Sequence, residues 1–370
     1  MNIKFVDLAR QNSQIKSELL PIIVKAIDSA DFILGKSLQN FEQNFASYCD
    51  KKYAVGVNSG TDALKFALLA YGIGKGDEVI TVSNGYFSAA MVINEIGARP
   101  MFVDVDEATR LIDIDKLNNS ITKRTKVIIP VHLYGNTVPM EPIVNLAKKH
   151  NLTIIEDSCQ AHGAKYLNKR LPYTETGAFS FYPGKNLGCF GDGGAVVTDN
   201  KAVYRKLLYL RNDGAKIKYI HKYFGFKSRL DSIQAEILSF KLSFLDDWNE
   251  KRRLAAALYK ENLKDVKNIK IPSDHEFANS VFHLFVIETK YRNDLQNYLK
   301  AHGIETGVHY PIPIHLQEPF LKLGHKPGSL PMTEEKSKII LSLPIFPEIT
   351  KEEVIYVCKN IKDFFTKKVH

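Results

Sequence analysis

The sequence predicts an α/β protein: a large domain with a mostly parallel sheet between helices, followed by a smaller α/β domain. Three observations carry this. Short apolar runs such as Tyr53–Val57 (YAVGV), Glu78–Val82 and Lys126–Leu133 (KVIIPVHL) alternate with stretches of helical period through the first half of the chain. Strands this uniformly apolar are covered on both faces, as in parallel sheets with crossover helices. The alternation then gives way to a long helical stretch, Asp231–Leu263, beyond which a second set of strands and helices begins. This places the large domain at residues 1–248 and the small one at 249–370, in keeping with a chain of 370 residues.

The elements follow in order. Phe41–Tyr48 is amphipathic; Tyr53–Val57 is a buried strand running into Asn58–Ser59–Gly60, and Thr61–Ala70 is a helix. Strand Glu78–Val82 precedes helix Ala89–Ile96; Met101–Val105 and Lys126–Leu133 are further strands. Pro139–His150 is a helix with proline near its first turn. Leu152–Glu156 is a strand. Ala178–Tyr182 and Ala195–Thr198 are strands flanking the glycine-rich Gly188–Gly194, and Lys201–Arg211 is helical. In the second domain, His283–Glu288 and Thr306–His309 are strands, and helices run near Arg292–His302 and Lys351–Phe365. No internal repeat is visible, which excludes a solenoid.

Composition narrows the function. Hydrophobic residues make up 45% and charged residues 25%, ordinary values for a globular protein. The net charge of +9 suits a phosphorylated small molecule as well as nucleic acid. The basic residues are scattered, however, and no nucleic-acid-binding signature is present. Cys49, Cys159, Cys189 and Cys358 form no CxxC pair and no zinc spacing, so no metal site is expected. The N-terminus lacks the pattern of a signal peptide and no run reaches membrane-spanning length, so a cytoplasmic protein is expected.

Ligands in open α/β sheets sit beyond the carboxyl ends of strands, and three polar motifs lie there. Asn58–Leu64 (NSGTDAL) is a small-residue turn opening a helix, where free N–H groups bind phosphate; helix capping by Ser59 or Thr61 would account for it alone. Glu156–His162 (EDSCQAH) ends a buried strand with two carboxylates. These serve either as an ion pair or as a partner for a cationic ligand nitrogen such as a protonated pyridine. Phe179–Gly188 (FSFYPGKNLG) sets Lys185 among small and apolar groups, surroundings that lower an amine pKa and favour a Schiff base. The order is phosphate turn, then acid, then lysine. A nicotinamide enzyme is excluded, because Gly72, Gly74 and Gly76 have the wrong spacing and follow a helix.

At these motifs the sequence resembles the DegT-type sugar aminotransferases, within the fold-type-I pyridoxal-phosphate (PLP) enzymes. The resemblance runs from Phe32–Gly35 to the proline-rich His309–Pro313 and Leu343–Pro344. It implies a seven-stranded, mostly parallel sheet and PLP as cofactor. By resemblance, Lys185 is the covalent anchor and acid/base. Asp157 pairs with the pyridine nitrogen, and Gln160 lies near the ring 3-hydroxyl. Gly60, Thr61 and Ser180 hold the phosphate, and Tyr86 stacks on the ring, with the adjacent Phe87 as the alternative for that role. His162, Tyr182, Arg229, His309 and Tyr310 are candidates for the sugar or its diphosphate. The KNLG and GDGG runs resemble members acting at C-3, whereas C-4 enzymes more often carry a glutamate in the second motif. The implied reaction moves an amino group from L-glutamate to C-3 of a dTDP-linked 3-keto-6-deoxyhexose. The product would be a dTDP-3-amino-3,6-dideoxyhexose for lipopolysaccharide or S-layer glycan. A UDP-linked or 4-keto substrate and a non-catalytic PLP-binding regulatory protein are the alternatives. In Gly225–Asp231 (GFKSRLD) the resemblance breaks at Lys227, where the family has an asparagine that reaches the cofactor phosphate of a neighbouring subunit. A homodimer with shared active sites, and Lys227 on the partner's phosphate, are therefore expected.

Overall fold

A computed structural model describes residues 1–368. The chain opens with α1 (Leu8–Ser29) and α2 (Lys36–Tyr48). It then alternates through β1 (Tyr53–Val57), α3 (Gly60–Ala70), β2 (Glu78–Val82), α4 (Ser88–Glu95), β3 (Arg99–Val103), α5 (Ile114–Ser120), β4 (Thr125–Ile128), α6 (Met140–His150), β5 (Thr153–Ile154) and β6 (Glu156–Asp157). A flap of β7 (Lys165–Tyr166) and β8 (Lys169–Arg170) precedes β9 (Thr176–Ser180), β10 (Gly194–Thr198) and α7 (Lys201–Leu210). An exposed hairpin, β11 (Ala215–Ile217) with β12 (Ile220–His221), leads to α8 (Ser232–Leu242) and α9 (Leu245–Leu263). The remainder is β13 (Ala278–Asn279), β14 (Phe285–Glu288), α10 (Arg292–Ala301), α11 (Glu318–Leu321), α12 (Pro331–Ser337), β15 (Ile340–Leu343) and α13 (Lys351–Lys368).

The main sheet has the strand order β3-β2-β4-β5/β6-β9-β10-β1. Its two halves meet along one extended segment. β5 pairs with β4 and β6 with β9, while Ile155 N donates to Ile128 O and Asp157 N to Pro130 O between them. Every pairing is parallel except those of β10, which runs against β1 and β9. All five residues of β2 and of β10 are buried, because α3, α4 and α7 cover one face of the sheet, while the other is covered by α5 and α6 at β2 and by α2 and α8 at β10. This is the mostly parallel sheet between helices expected of the chain.

The second core gathers β14, β15, α10 and α13 around the C-terminal half of α9. Ile3 joins it from the other end of the chain, held by Ile3 N on Gly303 O at 2.7 Å. The boundary drawn at 248/249 thus falls inside α9, and the first residues of the chain pack with the last third.

Three elements differ from expectation. The Lys126–Leu133 strand stops at Ile128 and enters a 3-10 turn at Leu133–Gly135, next to Pro130, which has no N–H to give to a ladder. The Asp231–Leu263 helix breaks after Leu242, where the Ser243 hydroxyl turns back to Phe240 O at 2.7 Å. Thr306–His309 forms no strand; only Gly307 pairs, with Ser342.

Candidate active site

Five strand ends deliver the site. β1 runs into Ser59–Thr61, β2 into Ser83–Tyr86, β4 into His132–Tyr134, β6 into Asp157–Gln160 and β9 into Ser180–Lys185. Because these strands are parallel, their carboxyl ends share one edge.

The Asn58–Leu64 turn is built by contact. Ser59 caps α3 by accepting from Asp62 N at 3.1 Å. That satisfies one N–H of the first turn and leaves those of Gly60 and Thr61 to a ligand. A β-carbon at Gly60 would lie 2.6 Å from Ser180 Cβ and 3.0 Å from Cys159 Sγ, so all three motifs touch here. One at Gly194 would lie 2.3 Å from the Ser59 carbonyl, which explains the glycine at the start of the antiparallel strand. Ser228 ties the GFKSRLD segment to the same turn, donating to Asp62 Oδ2 at 2.7 Å and accepting from Asn58 N at 3.1 Å.

The two acids of the second motif separate cleanly. Glu156 is fully buried and its carboxylate is consumed by His132 Nε2 (2.9 Å), Tyr173 N and Thr174. Burial raises its pKa, but those hydrogen bonds outweigh it and hold it below the ordinary glutamate value. Asp157 accepts the Cys159 N–H at 3.1 Å on Oδ1 and has the Cys159 thiol beside it; among the described residues no cation or backbone N–H is hydrogen-bonded to Oδ2. Gln160 is buried; its Oε1 accepts from Tyr134 N at 2.7 Å and its Nε2 donates to Tyr310 OH at 3.3 Å. The Tyr134 hydroxyl in turn donates to His309 O at 2.5 Å.

Lys185 is part-buried, and burial lowers its pKa despite opposition from Cys159 and Asp157. Its charge is felt by three histidines. Burial first and Lys185 second push His162 down to about 3 and His309 down to about 4, and the same two causes lead in lowering His283. A cationic amine surrounded by neutral imidazoles and a carboxylate is suited to lose and regain a proton.

Tyr86 is 61% exposed, with its ring 5.8 Å from that of Tyr310. Phe87 turns away and packs edge-on against Phe320, so the two neighbours take different surroundings. Tyr182 is 60% exposed at the mouth. His309 stacks on Phe5 and bonds Ser342 through Nδ1 at 2.8 Å. Arg229 is part-buried and donates to Asn212 Oδ1 at 3.2 Å. Two candidates lie elsewhere. His162 is 1% exposed, its ring walled in by Phe179 and Phe181, so it forms part of the site's backing, out of reach of a sugar. Lys227 is exposed and pairs by backbone with Asn212, with no side-chain contact to this chain's phosphate turn. Tyr134, Asn186, Ser228 and His283 belong to the site's fabric but were not expected in it. Asn186 stands beside Lys185 as a signal; His283 opens the stretch expected as a strand, has no motif around it, and lies two residues before β14 begins. Among the described residues no cluster of ligand side chains could hold a metal, and no helix is long and apolar enough to cross a membrane.

The DegT/DnrJ/EryC1/StrS aminotransferase family model matches residues 13–362. A dTDP-3-amino-3,6-dideoxy-α-D-galactopyranose transaminase of Aneurinibacillus thermoaerophilus is 43% identical over 98% of this chain and 99% of its own. A pleiotropic regulatory protein of Geobacillus stearothermophilus is 42% identical over 99% of both chains. The crystal structure of Streptomyces venezuelae DesV in complex with a ketimine intermediate superposes with a TM-score of 0.97 at 41% identity, covering 98% of each chain.

Proposed function

This chain belongs to the DegT/DnrJ/EryC1/StrS aminotransferase family, and from that premise we propose that it moves an amino group from L-glutamate to C-3 of a dTDP-linked 3-keto-6-deoxyhexose, with PLP as cofactor. The observation that carries the reading is the convergence of Lys185, Asp157 and the open first turn of α3 on one sheet edge. Those residues fit the group. Two free N–H groups and the Thr61 and Ser180 hydroxyls offer donors to a phosphate, and Asp157 Oδ2 is an unspent carboxylate oxygen for a ring N–H. Gln160 Nε2 would offer a donor to the ring hydroxyl, and Tyr86 a flat face to the ring.

When bound, PLP supplies an electron sink for the carbon beside the migrating nitrogen. Lys185 would hold the group covalently, and its Nζ, when free, would take the proton from the donor α-carbon and later deliver one to C-3 of the sugar. Asp157 keeps the ring nitrogen protonated. Tyr182, Tyr310, His309 and Arg229 line the approach and orient the nucleotide sugar. The enzyme acts as a homodimer, and Lys227 of each protomer reaches the phosphate of the other site.

The test is the absorption spectrum of the PLP-loaded protein with and without L-glutamate. A visible band that L-glutamate bleaches, and that a dTDP-3-keto-6-deoxyhexose restores, supports the reading. A band indifferent to L-glutamate overturns the donor, and restoration by a UDP-linked sugar alone overturns the nucleotide. The Geobacillus relative's name favours a regulatory reading; a protein that never turns over with any keto sugar would favour it here. For Lys227, Lys227→Ala should weaken PLP binding without loss of dimer; unchanged affinity removes its role.

A further inference from the structure

Behind Lys185 runs a hydrogen-bond chain whose polarity is fixed by carbonyl oxygens. His162 O can only accept, and takes Asn249 Nδ2–H at 2.8 Å. Asn249 Oδ1 therefore faces Asn186, whose Nδ2 donates to it at 2.8 Å and to Val281 O at 3.0 Å. With both amide hydrogens used, Asn186 presents Oδ1 to His283 Nδ1 at 3.2 Å. An amide oxygen only accepts, so Nδ1 of His283 carries the hydrogen. The two main-chain acceptors fix both amides, and the amide oxygen of Asn186 then assigns the proton on His283 Nδ1. The neutral ring then has its lone pair on Nε2, which has no protein partner among the described residues. The backbone behind the ring is held by Arg252 Nη1, which donates to Phe282 O at 3.2 Å and His283 O at 3.4 Å. Asn186 is the residue next to Lys185, and the ring at the end of the chain, His283, feels the charge of Lys185.

We propose that Asn186 and His283 are a positioning pair for Lys185: Asn186 locks His283 in its Nδ1–H tautomer, and Nε2 accepts a hydrogen bond from the protonated nitrogen at Lys185, aiming it through the proton transfers. The inference rests on Lys185 being the reactive amine. The electrostatic setting agrees with it. Burial and the nearby charge of Lys185 keep His283 unprotonated, and the other groups felt by His283 are Arg252, His162 and His309.

The tautomer is read directly, without cofactor, by two-bond ¹H–¹⁵N correlation on protein labelled with ¹⁵N-histidine. His283→Asn identifies the signal, since its amide keeps a donor toward Asn186. The expected wild-type spectrum shows hydrogen on Nδ1 and a bare Nε2, and Asn186→Leu should abolish that preference. Hydrogen on Nε2 in the wild type overturns the lock, whatever Lys185 does. The second measurement is the pH titration of the visible band of the PLP-loaded protein. His283→Asn removes an acceptor from a cationic nitrogen, so the midpoint should fall by about one pH unit, a tenfold loss of the protonated form. The value of kcat should fall about tenfold, with KM for the amino donor little changed. An unmoved midpoint beside a confirmed tautomer overturns the positioning role. Failure of the wild type to form a visible band overturns instead the assignment of Lys185, and the pairing with it.

Discussion

At Gly60 a single methyl group would sit 2.6 Å from Ser180 Cβ, a contact no rotamer relieves because both atoms are fixed to backbone. Gly60→Ala should therefore cost about 1–3 kcal/mol and open the phosphate turn. Thermal unfolding and PLP titration would show a lower Tm together with weaker binding; unchanged PLP affinity would show that the turn does not hold the phosphate. Lys185→Ala should abolish the visible band and lower kcat at least about 10³-fold, within the range for loss of a general acid/base and covalent anchor. Retention of turnover would unseat the residue. The same scale shows where sequence reading stops. Composition of the motif leaves Asp157 and Glu156 equivalent and only the resemblance singles out Asp157; the structure supplies the physical reason, with Glu156 consumed by His132 and Thr174. His162 lay in the same motif, and its enclosure by Phe179 and Phe181 depends on β9, distant in sequence.

At the scale of elements, the link between the two cores is electrostatic as well as covalent. Arg110, after β3, is buried against Glu288 at the end of β14, and both are almost fully removed from solvent. The Arg110 carbonyl also accepts from Asn84 Nδ2 at 2.8 Å, in the segment that carries Tyr86. Removing one member of a buried pair strands the other charge, so Arg110→Ala should destabilise the protein by about 3–5 kcal/mol. Urea unfolding would measure it; a loss within experimental scatter would mean that water replaces the guanidinium freely. Strands β1 and β2 were legible residue for residue, because each is a short apolar run with no helical period. The flap β7–β8, the hairpin β11–β12 and helix α5 escaped notice. They are short, and their pairing is decided by partners across the fold.

For the whole molecule, acid is the informative perturbant. His162 is neutral in the fold and held near 3, against 6.5 for the free side chain. Between those values the unfolded chain binds the extra proton, so stability is complete above pH 6.5 and declines as pH falls below it. For this one imidazole the slope is about 1.4 kcal/mol per pH unit. Glu156 adds to the loss below its ordinary value of 4.5, because its folded pKa is depressed. A Tm that stays level from about pH 7 to about pH 5 would contradict this, and His162→Leu should flatten the decline. By itself the sequence determined the alternation of strands and helices, the apolar faces that bury the sheet and the three motifs in their order. Those are properties of local period and residue type. Tertiary structure alone decided which carboxylate stays free, that Ile3 belongs to the second core, and that Asn186 and His283 meet beside Lys185. Each depends on contacts between residues far apart in the chain, where hydrogen-bond partners and desolvation are assigned only once the strands share an edge.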